Sequence, residues 1–273
     1  MSFDGFFRIV VADDVDLTAL PGRIANQGVY YQRVSDEQFP DPSALRLKPP
    51  SGVVQDDHNY LADGNTLLRP GVMVSSSSLP NGQWKSTTSG IPVMDLSGSP
   101  FITVATHGFN PDDEVWHPNP KGTMIGKIVH SISGTDISLV RLTKGLRYVN
   151  QTFGTLDEPE GTVLNGLSPG YQPHLQKFDI ISMNNPFSGR ADGRVLAVGI
   201  KIEGKDVMHH DWLYMDVGTE PVDGSCGTAI LSDEGTVVGF FRYKLKDPQH
   251  CYAVSALELR EGKYEICGQE MEF

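Results

Sequence analysis

At 273 residues the chain can bury a full core, as one large β-type domain or two small ones. A formal charge of −12, from 22 Lys and Arg against 34 Asp and Glu, excludes the basic face that nucleic acid or an anionic membrane would require. Plentiful glycine (29) and proline (18), with few long amphipathic periods, favour many short strands and turns over helices.

The opening, Met1-Ser-Phe-Asp-Gly-Phe-Phe-Arg8, has neither the basic region nor the apolar core of a signal peptide. No apolar run approaches transmembrane length. Cys226, Cys251 and Cys267 are an odd set, too few for a disulfide framework. An intracellular, reduced protein with no membrane or nucleic-acid partner is expected.

Residues 3–12 are predicted as a strand. From Asp13 to Asn65 the sequence is polar and proline-bearing (Pro40, Pro42, Pro49, Pro50) and reads as an N-terminal extension, residues 1–66, with little further regular structure. Patterning begins near Leu67. Short β-type runs follow at 72–74, 90–95, 100–106, 122–130 and 136–142, divided by Ser, Gly, Asn and Pro turns. These make a first unit at about 67–148. A turn-rich connection covers about 149–175. A second β series, at 178–183, 193–202, 212–217, 229–231, 236–242 and 251–254, forms a second unit at about 176–273. Leucines at 257 and 259 among helix formers predict a short closing helix.

The informative stretch is Pro221-Val-Asp-Gly-Ser-Cys-Gly-Thr-Ala-Ile230, a small nucleophile between two glycines ahead of an apolar strand. Gly224 and Gly227 remove the Cβ atoms that would obstruct a tight turn. Without bulky neighbours, the N–H groups of Gly224 and Cys226 can converge into an oxyanion hole. A thiol nucleophile needs a base beside it and an acid that orients the base. His107 and Asp136, each at a strand end or turn, fill those roles in the order His107, Asp136, Cys226. A free thiol, with pKa about 8.5, is mostly protonated at neutral pH, so the imidazole matters for populating the thiolate.

Several segments carry a family resemblance. Thr103-Val-Ala-Thr-His107 resembles the Thr-Ala-Ala-His segment of chymotrypsin-like peptidases. Thr135-Asp-Ile-Ser-Leu-Val-Arg-Leu142 is similar to their Asp-Ile-Ala-Leu-Leu-Lys-Leu strand. Gly224-Ser-Cys-Gly-Thr-Ala-Ile230 resembles Gly-Asp-Ser-Gly-Gly-Pro-Val, and Asp233 to Gly239 resembles the hairpin after it. The likeness spans roughly residues 67–260. It implies an all-β chymotrypsin-like fold of two six-stranded antiparallel barrels, an N-terminal extension and a short C-terminal helix. It further implies an endopeptidase with a Cys226–His107–Asp136 triad in the cleft, a polypeptide substrate and no cofactor. The chain departs from the pattern in its cysteine, as in the cysteine enzymes of positive-strand RNA viruses, and in Ser225 and Thr228-Ala229 beside it.

By register, Glu220 stands where trypsin-like enzymes place the acidic base of the primary pocket, which hints at Arg or Lys substrates. Phe241, Arg242, Tyr243 and Lys244 are expected along the pocket wall and the edge strand that pairs with substrate. Phe241 occupies the place of the histidine in viral enzymes that cut after Gln, and Arg242 and Lys244 could favour an acidic residue, so specificity stays open. Ser225 is a rival nucleophile that would shift the glycine frame by one. His209-His210-Asp211 reads as a polar loop and no metal is expected, since adjacent histidines on a strand face opposite ways. Cys267, near the end, is expected to be exposed and oxidisable. Two other readings stay open: a non-catalytic peptide-binding module, and a Ser-to-Cys form of a serine peptidase.

Overall fold

The structure, a computed structural model, describes residues 2–3, 6–33, 35, 58–80, 82–110, 113–155, 159–170, 175–186, 188–203, 206–218, 221–244, 250–268 and 270–272. For residues 2, 3, 6, 8, 200–203 and 206–218 it gives the backbone alone.

The N-terminal region forms a sheet of four strands, β1 (Ser2–Phe3), β2 (Phe6–Val11), β3 (Arg23–Ile24) and β4 (Gln27–Arg33), in the order β1-β2-β4-β3. This corrects the expectation of one strand followed by loop. Gln27 to Arg33 carries Val29, Tyr30 and Tyr31, residue types that suit a pleated surface, and pairs in parallel with β2.

The next strands are β5 (Leu67–Leu68), β6 (Met73–Ser75), β7 (Ser86–Met94), β8 (Pro100–Ala105), β9 (Glu114–His117), β10 (Thr123–Ser131) and β11 (Ile137–Leu142). Six of them run β7-β6-β9-β10-β11-β8, and β8 pairs back onto β7, so the sheet closes into a barrel. β12 (Arg147–Val149) and β13 (Gly166–Leu167) lie in the connection.

The second barrel is built from β14 (Ile180–Asn185), β15 (Gly189–Glu203), β16 (Asp206–Gly218), β17 (Ala229–Ser232), β18 (Thr236–Lys244) and β19 (His250–Ser255). Its order is β18-β17-β14-β15-β16-β19, and β19 pairs with β18 to close it. The predicted helix is α1 (Leu257–Glu261); β20 (Glu265–Ile266) then adds to β7, and β21 (Glu270–Glu272) pairs with β12.

Period-2 alternation explains why these strands read as almost wholly apolar. In β11, Val140 and Leu142 point into the first barrel's core, while Ile137 and Leu139 face a second cluster shared with the other barrel. In β17, Ile230 faces the second barrel's interior, and Ala229 and Leu231 face the shared cluster. Phe101 and Ile91 from one barrel and Phe240 and Val237 from the other complete that interface. Both faces are buried, so both faces are hydrophobic. The two barrels are thereby held in a fixed relation, which is what can bring residues from each to one site.

Candidate active site

His107 lies at the end of β8, in a single 3-10 turn over Thr106–Gly108. Phe109 N–H donates to the Thr106 carbonyl at 3.0 Å to close the turn. Gly108 is required by space: a Cβ there would stand 2.3 Å from Thr87 Cγ2. The β8–β11 register opposes Ile137 to Ala105, which sets Asp136 beside the His107 turn. The Thr106 N–H donates to the Asp136 carbonyl at 3.0 Å, so main chain as well as side chains fix this corner.

Cys226 lies in the turn ahead of β17. Gly224 and Gly227 adopt φ of +101° and +90°, the region the sequence pattern anticipates for glycine. Thr88 of β7 reaches across from the first barrel, its N–H donating to the Cys226 carbonyl at 2.8 Å and its hydroxyl to the Gly224 carbonyl at 2.7 Å. On the other side, Gly227 N–H donates to Phe241 O at 2.8 Å. The Cys226 turn is therefore clamped between β7 and β18.

His107 Nδ1 is 2.7 Å from Asp136 Oδ2, and the His107 backbone N–H donates to Oδ1 at 2.9 Å. Both side chains are largely buried, 14% and 5% exposed. Burial by itself disfavours the imidazolium, but the Asp136 hydrogen bond and the neighbouring Cys226 outweigh it and raise His107 to about 9. Burial likewise works against the Asp136 carboxylate. The His107 hydrogen bond and charge, with Arg242 adding, overcome it and hold Asp136 below its ordinary value.

Cys226 is fully buried, and its Sγ donates to the Arg242 carbonyl at 2.6 Å. His107 Nε2 makes no in-line hydrogen bond among the described residues. Cys226 raises the imidazole by a hydrogen-bonding interaction as well as by charge, while its Sγ meets the Arg242 carbonyl. Lys85 Nζ donates to the His107 carbonyl at 3.3 Å.

The structure brings His107, Asp136 and Cys226 together from two barrels. It gives the other expected site residues different surroundings. Phe241 packs in the second barrel's core with Cys226, Ile181 and Val238. The Arg242 guanidinium turns to Asp136, with Nε 3.6 Å from Oδ2. Tyr243 packs on Tyr252, ring centroids 5.2 Å apart, and Lys244 pairs in register with Cys251. Glu220 lies outside the described residues. Ser225 Oγ is buried without a hydrogen-bond partner among the described residues, which leaves the rival nucleophile without a base.

Two expectations are corrected. His209, His210 and Asp211 lie within β16, opposite Ile200, Gly199 and Val198, because the β15–β16 hairpin continues to Glu203 and Asp206. Cys267 is 3% exposed, not open at the surface, and burial pushes its thiol up to about 12. β20 carries the chain back against β7, and Cys267 N–H donates to the Pro92 carbonyl. The sequence pattern gives no sign of the roles of Thr88 and Lys85 or of the Arg242–Asp136 contact. A threonine in the polar Ser86–Ser89 run of β7 and a cation near a turn carry no local signal of long-range partners.

No family model matches the sequence, and no curated protein matches it. Solved structures do. The chain is similar to the Nocardiopsis protease NAPase, with a TM-score of 0.54 at 14% identity, over 74% of this chain and 100% of that one. Cellulomonas bogoriensis chymotrypsin gives 0.52 at 12% identity, over 74% and 98%. Thermobifida fusca protease A gives 0.52 at 11% identity, over 74% and 100%. At such identities the likeness establishes the fold: a chymotrypsin-like double barrel.

Proposed function

We propose that the chain is an intracellular endopeptidase that cleaves polypeptides through Cys226, His107 and Asp136. The observation that carries this reading is the 2.7 Å contact of His107 Nδ1 with Asp136 Oδ2, with Cys226 held next to the same imidazole from the other barrel. Three cysteines without disulfides suit a reducing compartment.

In the reaction, His107 takes the Cys226 proton on Nε2 and the sulfur bonds to the scissile carbonyl carbon. The carbonyl electron pair moves onto oxygen, facing the N–H groups of Gly224 and Cys226. The C–N bond then breaks as Nε2–H protonates the leaving amine, which leaves a thioester. Water attacks with His107 as base, the C–S bond breaks and the thiol is restored. Removing one oxyanion donor costs about 3–4 kcal/mol of transition-state stabilisation in comparable sites. Glu220, Phe241, Arg242, Tyr243 and Lys244 remain the proposed substrate-side residues. A peptide strand that pairs with the end of β18 would free Cys226 Sγ from the Arg242 carbonyl.

One observation favours a second reading. The thiol is fully buried and bonded to a main-chain carbonyl, as a non-catalytic peptide-binding module would allow. A peptide-library digest of the wild type, Cys226→Ala, Cys226→Ser and His107→Ala separates these readings. Cleavage by the wild type alone supports the thiol peptidase. Full activity in Cys226→Ala overturns it, peptide binding without cleavage supports the module, and a Cys226→Ser variant faster than wild type identifies a replaced serine.

A further inference from the structure

The Asp136 oxygen that accepts the His107 Nδ1–H hydrogen bond is shared. His107 Nδ1 stands 2.7 Å from Oδ2, and Arg242 Nε stands 3.6 Å from the same atom. The Asp136 side chain is 5% exposed and that of Arg242 24%, so solvent and salt screen this contact less than a surface ion pair. Arg242 also accepts the Cys226 thiol on its carbonyl. One residue thus touches both ends of the constellation: the acid through its side chain, the nucleophile through its main chain.

We propose that Arg242 is a positioning residue that sets the proton balance of the site, its fixed cation holding Asp136 ionised while competing with His107 for one carboxylate oxygen. This rests on the reading of Cys226 as nucleophile and His107 as base. A buried carboxylate whose sole cationic partner is an imidazolium keeps its charge by keeping that imidazole protonated. Such a pair binds its proton too tightly for a base that must pass it on. A guanidinium does not titrate in a protein, so it compensates Asp136 in both states of His107. It also lowers the attraction that Asp136 offers the imidazolium. His107 then gives up its Nε2 proton more readily, as transfer to a leaving amine requires.

Among the described residues, the charged and titratable groups facing this corner are Asp136 before β11, Cys226 ahead of β17, Arg242 on β18 and Lys85 ahead of β7. Lys85 touches the His107 carbonyl and adds a second positive charge, in the same sense as Arg242. Asp136 and the Cys226 thiolate act in the opposite sense. Among the described residues Arg242 is the cation, besides His107 itself, that meets the carboxylate oxygen orienting the ring.

The test is an NMR titration of the ring-labelled full chain, with His107 assigned among the eight histidines by its loss in His107→Ala. Cys226 alkylation by iodoacetamide is followed in parallel, cysteine by cysteine. Arg242→Gln is expected to raise the pH at which His107 loses its proton by about one unit, the scale of a partly screened charge at this range. Arg242→Lys is expected to restore most of the wild-type value, and Arg242→Met repeats the test should the glutamine variant fold poorly. A role confined to packing would leave the midpoint where it is. An unmoved or lowered midpoint in the uncharged variants overturns the role of Arg242. If alkylation still slows sharply in His107→Ala, the nucleophile–base reading stands without it. Alkylation indifferent to His107→Ala defeats that reading and this proposal together.

Discussion

Replacing Gly227 with alanine tests whether the Cys226 turn is set by inter-barrel contact or by its own backbone. Gly227 has φ of +90°, and a Cβ there would lie 2.5 Å from Thr88 O and 3.1 Å from Ala105 N. Against an ordinary contact of 3.4 Å, the shortfall at Thr88 is 3.4 − 2.5, or about 0.9 Å. Both obstructing atoms are main chain of the other barrel, so no side-chain rotation relieves them. A side chain forced into this backbone region costs on the order of 1–3 kcal/mol. Overpacking adds typically about 1–3 kcal/mol more.

Gly98 supplies the control, since its φ is +80° and a Cβ there would meet nothing within 4 Å. Gly98→Ala bears the conformational cost alone, reduced by roughly 0.4–1 kcal/mol through the stiffer unfolded chain. Gly227→Ala should therefore lose more stability than Gly98→Ala by about 1–3 kcal/mol, read as the gap between their urea midpoints at constant m. In thermal melts the gap is roughly 2–12 °C for a chain of this size. The strain also moves the Cys226 carbonyl off Thr88 N–H, so the Gly227 variant should lose peptidase activity while the Gly98 variant keeps it. Equal destabilisation by the two variants refutes the claim that the barrels meet tightly at this turn.

Two further outcomes are expected. His117 is fully buried and neutral, with Nδ1–H donating to Met73 O at 2.7 Å and Nε2 accepting the Tyr60 N–H at 3.1 Å. Burial, with His58 adding, lowers it from 6.5 to about 4 against the opposing Met73 bond. The unfolded chain protonates first, so this contribution is full above 6.5 and is lost as pH falls toward 4, over 6.5 − 4 = 2.5 units. That window corresponds to about 3 kcal/mol at most. Urea midpoints from pH 7.5 to 4 should fall more steeply for the wild type than for His117→Gln, and parallel curves would contradict this. Cys267, at 3% exposure and with its thiol raised to about 12, should resist iodoacetamide in the native protein and react freely in urea. Equal rates under both conditions would place it at the surface after all.

The legible features of this chain are local ones. β8, β11, β17 and β18 stand out because each buries both faces, leaving continuous apolar runs with turn residues at their ends. The Gly-Ser-Cys-Gly turn is legible because few residues other than glycine reach φ of +101° or +90° at low cost. β4 lacks a sequence signal because it is mostly half-buried or exposed and lies in a polar, proline-bearing stretch, and β9 because it is only four residues long. The 209–211 segment read as a loop from its polar residues, yet hairpin pairing satisfies its main chain whatever its side chains.

Short apolar runs, glycine placement and the residue types at His107, Asp136 and Cys226 mark, within the sequence itself, an all-β chain and three residues of a candidate site, while the double barrel is what the family resemblance implies. Those features are written residue by residue, in backbone preference and side-chain chemistry. Only the tertiary structure decides that Thr88 ties the Cys226 turn to the first barrel, 136 residues from the Gly224 carbonyl it reaches. Only there do the carbonyl and cation of Arg242 meet Cys226 and Asp136. A hydrogen bond of this range depends on how two packed barrels are rotated against each other. That rotation is set by the sum of the interface contacts, and no single segment encodes it.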